Sequence, residues 1–322
     1  MTNTHETRPV LVTGAAGFIG SHVCQHLTRQ GRRVIGVDNF DPFYPRPAKE
    51  TNLREITHDR FEFVEGDICD ANAMRTLFDR VKPEGVFHLA AKAGVRPSIA
   101  DPAGYMHANA TGTAVILSEA SRAGCTRVVA ASSSSVYGNA PQVPFSETMD
   151  VNAPISPYAA SKRACELLGS THHHLTKMPV AMLRFFTVFG PRQRPDLAIA
   201  LFLGRVSRGE TITQMGAGTT SRDYTFIDDI VAGVVRAYER IDAHGYRLWN
   251  LGNSHPVTLD AMIATIGRVV GKAPVIDRKP AQAGDVERTF ADLTRSREEL
   301  GYEPSVSFEE GVRRQWAWMR GR

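Results

Sequence analysis

Tyr158 and Lys162 stand four apart in YAASK, so on a helix both side chains leave from one face. A lysine ammonium beside a phenol favours the phenolate, and a phenolate can take the proton of a substrate hydroxyl. Among eight tyrosines such a pair could arise by chance. The serine run in ASSSSVYG adds weight, because it ends a β-branched stretch, TRVVAASSS, that reads as a buried strand. Open parallel sheets gather their chemistry at that carboxyl edge. Ser133, four residues before Tyr137, is favoured to hold the same substrate oxygen, with Ser132, Ser134 and Ser135 as substitutes. Ser133, Tyr158 and Lys162 would then move a proton while a hydride passes to a nicotinamide.

A second group of residues suits the cofactor. Gly14, Gly17 and Gly20 in TGAAGFIG lie between the apolar run PVLVTG and a helical stretch that Phe18 and Ile19 open. Glycine there permits a tight turn and brings backbone N–H groups and a helix N-terminus up to a pyrophosphate. Such a string can also be a plain turn. The strand before it, the helix after it and Asp38 at the end of RRVIGVD favour a dinucleotide. The Asp38 carboxylate would accept from the ribose hydroxyls and repel a 2′-phosphate, so NAD is expected over NADP despite Arg32 and Arg33. Asn39, Asp67, Ile68, Leu89, Ala90, Ala91 and Lys92 complete the expected cofactor contacts. Asp67 would reach the adenine, unless its task is to cap the helix that starts near Asp70.

These residues need a scaffold. Strand-like runs PVLVTG, RRVIGVD, FEFVEGD, EGVFHLAA and TRVVAASSS alternate with helical stretches, among them ANAMRTLFDRV and NATGTAVILSEASRAG. That order predicts an α/β fold, a Rossmann-type doubly wound parallel sheet over residues 1–190. A smaller, less regular α/β substrate-binding region is expected over 191–322, packed on the sheet edge, with loops at 216–221 and 279–285. The boundary is approximate, and the chain is expected to cross between the two.

Composition narrows the classes. The 322 residues are 42% hydrophobic and 22% charged, enough for a full core. Net charge is +4, with 38 basic and 34 acidic residues interleaved. No basic stripe suggests nucleic acid, and a slightly positive chain suits an anionic small molecule. Cys24, Cys69, Cys125 and Cys165 lack metal spacing and read as buried thiols in a reducing compartment. His172–His174 cannot share one helix face, so a solvated surface is expected and no metal site. With no apolar leader or membrane-length run, the chain reads as soluble and cytoplasmic, without membrane contact.

TGAAGFIG, HLAA, SSSSVYG, YAASK, RFFTVFGPR and SRDYTFIDDI, in that order from Pro9 to about Pro304, resemble the extended short-chain dehydrogenases that act on nucleotide sugars. In UDP-galactose 4-epimerases of that group the serine lies four residues before the VYG tyrosine, which matches Ser133. Those enzymes usually carry Asn where this chain has Thr187. The segment RFFTVFGPRQRPDLAI, with AKAGVR and QAGDV, is instead similar to UDP-glucuronate 4-epimerases. That resemblance implies that Thr187 and Arg194 receive the sugar carboxylate, helped by Ser134 and Ser135. It also implies that Arg96 contacts the substrate, Arg222 binds the UDP diphosphate, and Gln282 and Asp285 approach the uridine ribose or diphosphate. Asn109 would lie in a helix lining the site. The residues agree on one point independently: a uronate carries an added charge, and Arg192 and Arg194 in GPRQRPD offer planar forks for it.

The implied reaction removes and returns hydrogen at C4 of a UDP-uronic acid through a 4-keto intermediate, with NAD tightly held. That intermediate is a β-keto acid prone to lose CO₂, so its carboxylate must be restrained. A UDP-glucuronate decarboxylase, a UDP-hexose or N-acetylhexosamine 4-epimerase, and a non-catalytic NAD-binding regulatory module remain as alternatives. A 4,6-dehydratase is not expected, because SSSSVYG lacks the Asp-Glu pair those enzymes carry there. The resemblance further implies a homodimer formed through helices such as residues 109–123 and 157–175.

Overall fold

A computed structural model describes residues 8–280 and 287–321. The chain alternates strand and helix through β1 (Val10–Thr13), α1 (Phe18–Arg29), β2 (Val34–Asp38), α2 (Arg46–Arg54), β3 (Phe61–Glu65), α3 (Ala71–Val81) and β4 (Gly85–His88). Two short helices, α4 (Val95–Ala100) and α5 (Pro102–Met106), lead through a π-helical turn at His107–Thr111 into α6 (Gly112–Arg122). Then come β5 (Val128–Ser133), a 3₁₀ turn at Ser134–Tyr137, α7 (Pro157–Thr176), β6 (Val180–Phe185), β7 (Thr187–Phe189) and α8 (Ala198–Arg208). The remainder is β8 (Ile212–Met215), β9 (Ser221–Phe226), α9 (Ile227–Arg240), β10 (Tyr246–Leu251), β11 (Pro256–Thr258), α10 (Leu259–Val270), β12 (Ile276–Lys279), α11 (Thr294–Leu300) and α12 (Phe308–Arg320).

The apolar runs pair into one seven-stranded sheet in the order β10-β6-β5-β4-β1-β2-β3. The β1·β2, β2·β3, β1·β4 and β4·β5 pairs are parallel, and β1, β2 and β4 are buried along their whole length. Strands covered on both faces need no polar alternation, which is why these runs read as continuous apolar stretches. Strand order reverses at β1, between β2 and β4, the place where a doubly wound Rossmann-type sheet opens a crevice for ligands. Leu11, Ile35, Val86, Val128 and Val180 share one core with Leu77, Phe78, Ile116 and Leu117 of the covering helices.

Contacts gather the chain into two compact units that interleave along the sequence. The first holds the residues up to Ser132, Pro157–Leu183 and Val234–Leu248; the second holds Ser133–Ser156, Arg184–Gly233 and the chain from Trp249 onward. The chain thus passes between the units several times, one passage falling at Arg184, near the approximate boundary expected at residue 190. In the second unit β11-β9-β7 form a three-stranded sheet and β12-β8 a parallel pair. Phe189, Tyr224, Phe226 and Phe308 stack edge to face or tilted, and Gly311 lets α12 lie against the Phe189 ring.

Several local expectations change. Two further strands, β6 and β10, join the five expected in the sheet. Helix α2 is almost entirely polar, and its buried members are Lys49 and Asn52, so apolar periodicity could not reveal it. The helix expected from Asn109 begins with the π-helical turn. Ser221 and Lys279, expected in loops, are the first residue of β9 and the last of β12. Cys69 is half-buried, unlike the other three thiols, and all four cysteines are free. His172 and His173 are also half-buried; the His173 ring meets the Met178 carbonyl at 2.9 Å. Among the described residues no His, Cys, Asp and Glu group could hold a metal, and no helix is long and apolar enough to cross a membrane.

Candidate functional site

In the first unit the glycine loop is built into the sheet edge. The Thr13 hydroxyl accepts from the N–H groups of Leu89 and Ala90, each at 3.2 Å, and sits 2.8 Å from His88 Nδ1. These bonds tie the carboxyl ends of β1 and β4 together. Gly14 has φ +72°, and a Cβ there would come within 2.8 Å of Ala90 N. At Gly20 a Cβ would collide with the Gly14 carbonyl oxygen. Phe18 and Ile19 open α1, the first buried and the second half-buried. The loop thus presents bare backbone at a helix N-terminus, a cradle that fits a pyrophosphate.

Asp38 ends β2 and is 8% exposed. Its carboxylate accepts from Ala16 N at 3.2 Å and Phe40 N at 2.8 Å, with Lys49 Nζ 3.9 Å away. Burial pushes its pKa up, and the Lys49 charge opposes that rise. Asp38 is thereby held against the glycine loop, where an adenosine ribose would meet it. Asp67 accepts from Asn39 Nδ2 at 3.1 Å and Cys69 N at 2.8 Å. The cap of α3 is Asp70, which accepts from Asn72 N and Ala73 N, so Asp67 is released from the capping role. Ile68 is buried, with its side chain filling the space beside Gly112.

Leu89 and Ala90 are half-buried and Ala91 is exposed. Lys92 donates its N–H to Asn109 Oδ1 at 2.8 Å and its Nζ to Asp101 at 3.0 Å. Arg96 is exposed on α4. Asn109, which on sequence could be a plain surface residue, is 1% exposed. Its Nδ2 donates to the Lys92 carbonyl at 3.0 Å and to Ser161 Oγ at 2.8 Å, and Ser161 in turn donates to the Tyr158 carbonyl at 2.8 Å. One amide in a π-helical turn therefore registers the HLAAK loop against the helix that bears Tyr158 and Lys162. No sequence signal marks a π turn, so this role was not legible.

Tyr158 lies in the first turn of α7, half-buried, with the Tyr105 ring edge-on at 6.2 Å. Lys162 is buried and donates to the Ala131 carbonyl at 2.9 Å. Burial, with the Lys162 charge nearby, pushes His88 down to about 3, so its ring is neutral between Thr13 and Thr113. One turn further along α7, fully buried Glu166 accepts from Ser132 Oγ at 2.7 Å and pairs with Arg163 at 3.1 Å.

The second unit holds the remaining expected residues. Ser133, the last residue of β5, is buried and its Oγ accepts from Ser135 N at 3.1 Å. Ser134 and Ser135 are half-buried. Tyr137 closes that turn by donating to Asn250 Oδ1 at 2.7 Å, beneath the Arg184 guanidinium. Burial pushes the Tyr137 phenol well up, so it stays neutral. Thr187 opens β7, half-buried. Arg192 is 4% exposed with φ +63°, which removes the solvated-loop reading for it. The Arg194 side chain, 16% exposed, pairs through Nε and Nη2 with both Asp196 oxygens at 3.0 and 2.8 Å. Asp196 orients that guanidinium, and only its position two residues on hinted at it.

Arg222 in β9 donates to the carbonyls of Ser221 and Glu287 at 2.9 and 3.4 Å. Its neighbour Asp223, fully buried, accepts from the N–H groups of Asn253, Ser254 and Ala291 at 2.7–3.0 Å. That one carboxylate pins two loops to β9. Gln282 and Asp285, with the rest of QAGDV, lie outside the described residues.

The family model described as GDP-mannose 4,6 dehydratase matches residues 11–315. The chain belongs to this family. Within it, the UDP-glucuronate 4-epimerase of Thermodesulfobacterium geofontis is 38% identical over 313 residues, 96% of this chain and 95% of that one. UDP-glucuronic acid 4-epimerase from Bacillus cereus, solved with UDP-glucuronic acid and NAD, superimposes with a TM-score of 0.91 at 32% identity, covering 97% of this chain and 99% of that chain. UDP-glucose 4-epimerase from Thermotoga maritima, solved with UDP-glucose, gives 0.86 at 33% identity, with coverage of 97% and 99%. The family's label names a dehydratase, whereas these relatives, matching over nearly the whole chain, are named 4-epimerases.

Proposed function

We infer that the chain is an NAD-dependent UDP-glucuronate 4-epimerase, interconverting UDP-glucuronate and UDP-galacturonate. The observation that carries this reading is its full-length similarity to UDP-glucuronate 4-epimerases in sequence and fold. A turn bearing Arg192 and Arg194, which a neutral hexose would not require, supports it. The glycine loop, Asp38 and the HLAAK segment would hold NAD, which when bound supplies a hydride acceptor at C4 and then a donor to the opposite face. Tyr158 takes the proton of the sugar 4-OH and later returns it. Lys162 stands one helical turn on as its partner, and Ser133 steadies the same oxygen. Arg222, with Gln282 and Asp285, holds the UDP portion while the keto sugar turns over.

Thr187, Arg192 and Arg194, with Ser134 and Ser135, restrain the carboxylate. Decarboxylation of the 4-keto acid needs the C5–carboxylate bond aligned with the carbonyl π system, and a fixed carboxylate keeps it out of that alignment. Protein supplied with UDP-glucuronate and no external reductant, followed by NMR and CO₂ release, tests this. UDP-galacturonate without CO₂ is expected. UDP-pentose with CO₂ would make it a decarboxylase, and turnover of UDP-galactose alone would move it to the hexose enzymes. No turnover of any sugar, with NAD bound, would favour a regulatory module.

Four unbridged cysteines and a nucleotide-sugar substrate fit work in the cytoplasm. Leu167 and Leu175, at 52% and 74% exposure, stand eight residues apart on α7 and support a homodimer through that helix. Sedimentation equilibrium should give twice the 35.4 kDa chain mass, and Leu167→Glu with Leu175→Glu should return it to a monomer. A monomer in the unaltered protein would remove the dimer.

A further inference from the structure

Between Arg192 and Arg194 stands Gln193, turned inward and 7% exposed. Its Nε2 donates to the Val188 carbonyl at 3.1 Å, folding the turn back onto β7. Its Oε1 accepts from Ala200 N at 3.2 Å, in the first turn of α8, and from Gln315 Nε2 at 2.8 Å. Gln315 lies on α12, 1% exposed and 122 residues away in sequence from Gln193. Its own Oε1 accepts from Gly190 N at 3.0 Å. Two amides thus hold the turn at its start, at its centre and where it enters α8.

The turn needs that support. Gly190 has φ +140° and Arg192 has φ +63°, a left-handed conformation that strains a side-chain-bearing residue and persists only where its surroundings enforce it. Removing Gln315 would leave the Gly190 N–H buried without its acceptor and take one of two donors from Gln193 Oε1, which keeps Ala200 N. The backbone at Arg192 would then be free to relax, carrying both guanidinium groups with it.

We propose that Gln315 is a positioning residue for the substrate carboxylate: through Gln193 and Gly190, α12 sets the turn that aims Arg192 and Arg194. The proposal rests on the uronate reading and sharpens it. A loosened turn lets the C5–carboxylate bond of the 4-keto acid swing into line with the carbonyl. That bond then breaks, CO₂ leaves, and its electron pair passes to the ketone as an enolate. C5 takes a proton from water, balancing the one Tyr158 removed, and NAD is left reduced beside a UDP-4-keto-pentose.

Calorimetric affinities for UDP-glucuronate and UDP-glucose, and CO₂ released per epimerisation, would be measured for the NAD-loaded protein, Gln315→Leu and Gln315→Glu. Gln315→Leu should weaken UDP-glucuronate by about tenfold or more, roughly the loss of one well-placed charged hydrogen bond, and change UDP-glucose little. The CO₂ fraction should rise, with KM for the uronate moving more than kcat. Gln315→Glu keeps an acceptor for Gly190 N and should fall between; it carries the same comparison if Gln315→Leu does not fold. Equal weakening of both sugars, or an unchanged preference for the uronate, would overturn the role of Gln315 alone. A parent protein with no preference for the uronate would instead overturn the substrate reading and this proposal with it.

Discussion

Tyr158→Phe should lower UDP-glucuronate turnover by about 10²- to 10⁴-fold, the range over which a positioned acid or base acts. The ring would stay where it is, since its surroundings, the Tyr105 edge and the Ser161–Asn109 bonds, do not involve the hydroxyl. Lys162 keeps its bond to the Ala131 carbonyl, so the first unit is expected to fold and bind NAD as before. What disappears is the oxygen proposed to take and return the 4-OH proton. Steady-state rates, with NAD binding measured by fluorescence on the same sample, separate chemistry from folding. Full activity in this variant would remove Tyr158 as the base. Loss of NAD along with activity would show that the hydroxyl has a structural duty instead.

Gly20→Ala should cost stability and cofactor together. The added Cβ points at the Gly14 carbonyl, with the Ala15 Cα only 3.2 Å away, so backbone and not a flexible side chain must yield. Forcing one extra methyl into such a contact costs about 1–3 kcal/mol. The atom that must shift belongs to the loop proposed to cradle the pyrophosphate, so the rise in melting temperature expected with NAD should shrink or vanish. Thermal melts with and without NAD read both effects. A variant with the parent melting temperature and the parent NAD shift would show that α1 can slide away from the loop, and the close packing at Gly20 would lose its significance.

Much of this molecule was legible because its chemistry is local. The strands β1, β2 and β4 are nearly continuous apolar runs, as burial on both faces of a parallel sheet demands, and the edge strand β3 is only half-buried. The glycine loop and Asp38 follow from strand, turn and strand in immediate succession. Tyr158 and Lys162 need only one helical turn to share a face. Helix α2 escaped notice because it buries Lys49 and Asn52 in place of an apolar stripe. Crossing between two units was expected, but where the chain crosses was not legible, since contacts among distant segments define a unit and no local signal records them.

The side chains proposed to meet substrate were therefore nameable from the sequence, and the long-range bonds that hold their segments were not. Tyr158 and Lys162 stand in a short motif whose spacing carries its meaning, Ser133 was favoured by its place before Tyr137, and Thr187 and Arg194 were named by resemblance. Asn109, Asp223 and Gln315 act across long stretches of chain: Asn109 on Lys92 and Ser161, Asp223 on Asn253 and Ala291, Gln315 on Gly190 and Gln193. A buried amide or carboxylate is tolerated only where its partners meet it, and those partners are chosen by tertiary packing. Tyr158 and Lys162 can be paired from their spacing alone; what holds the turn that bears Arg192 and Arg194 was decided by α12, through Gln315.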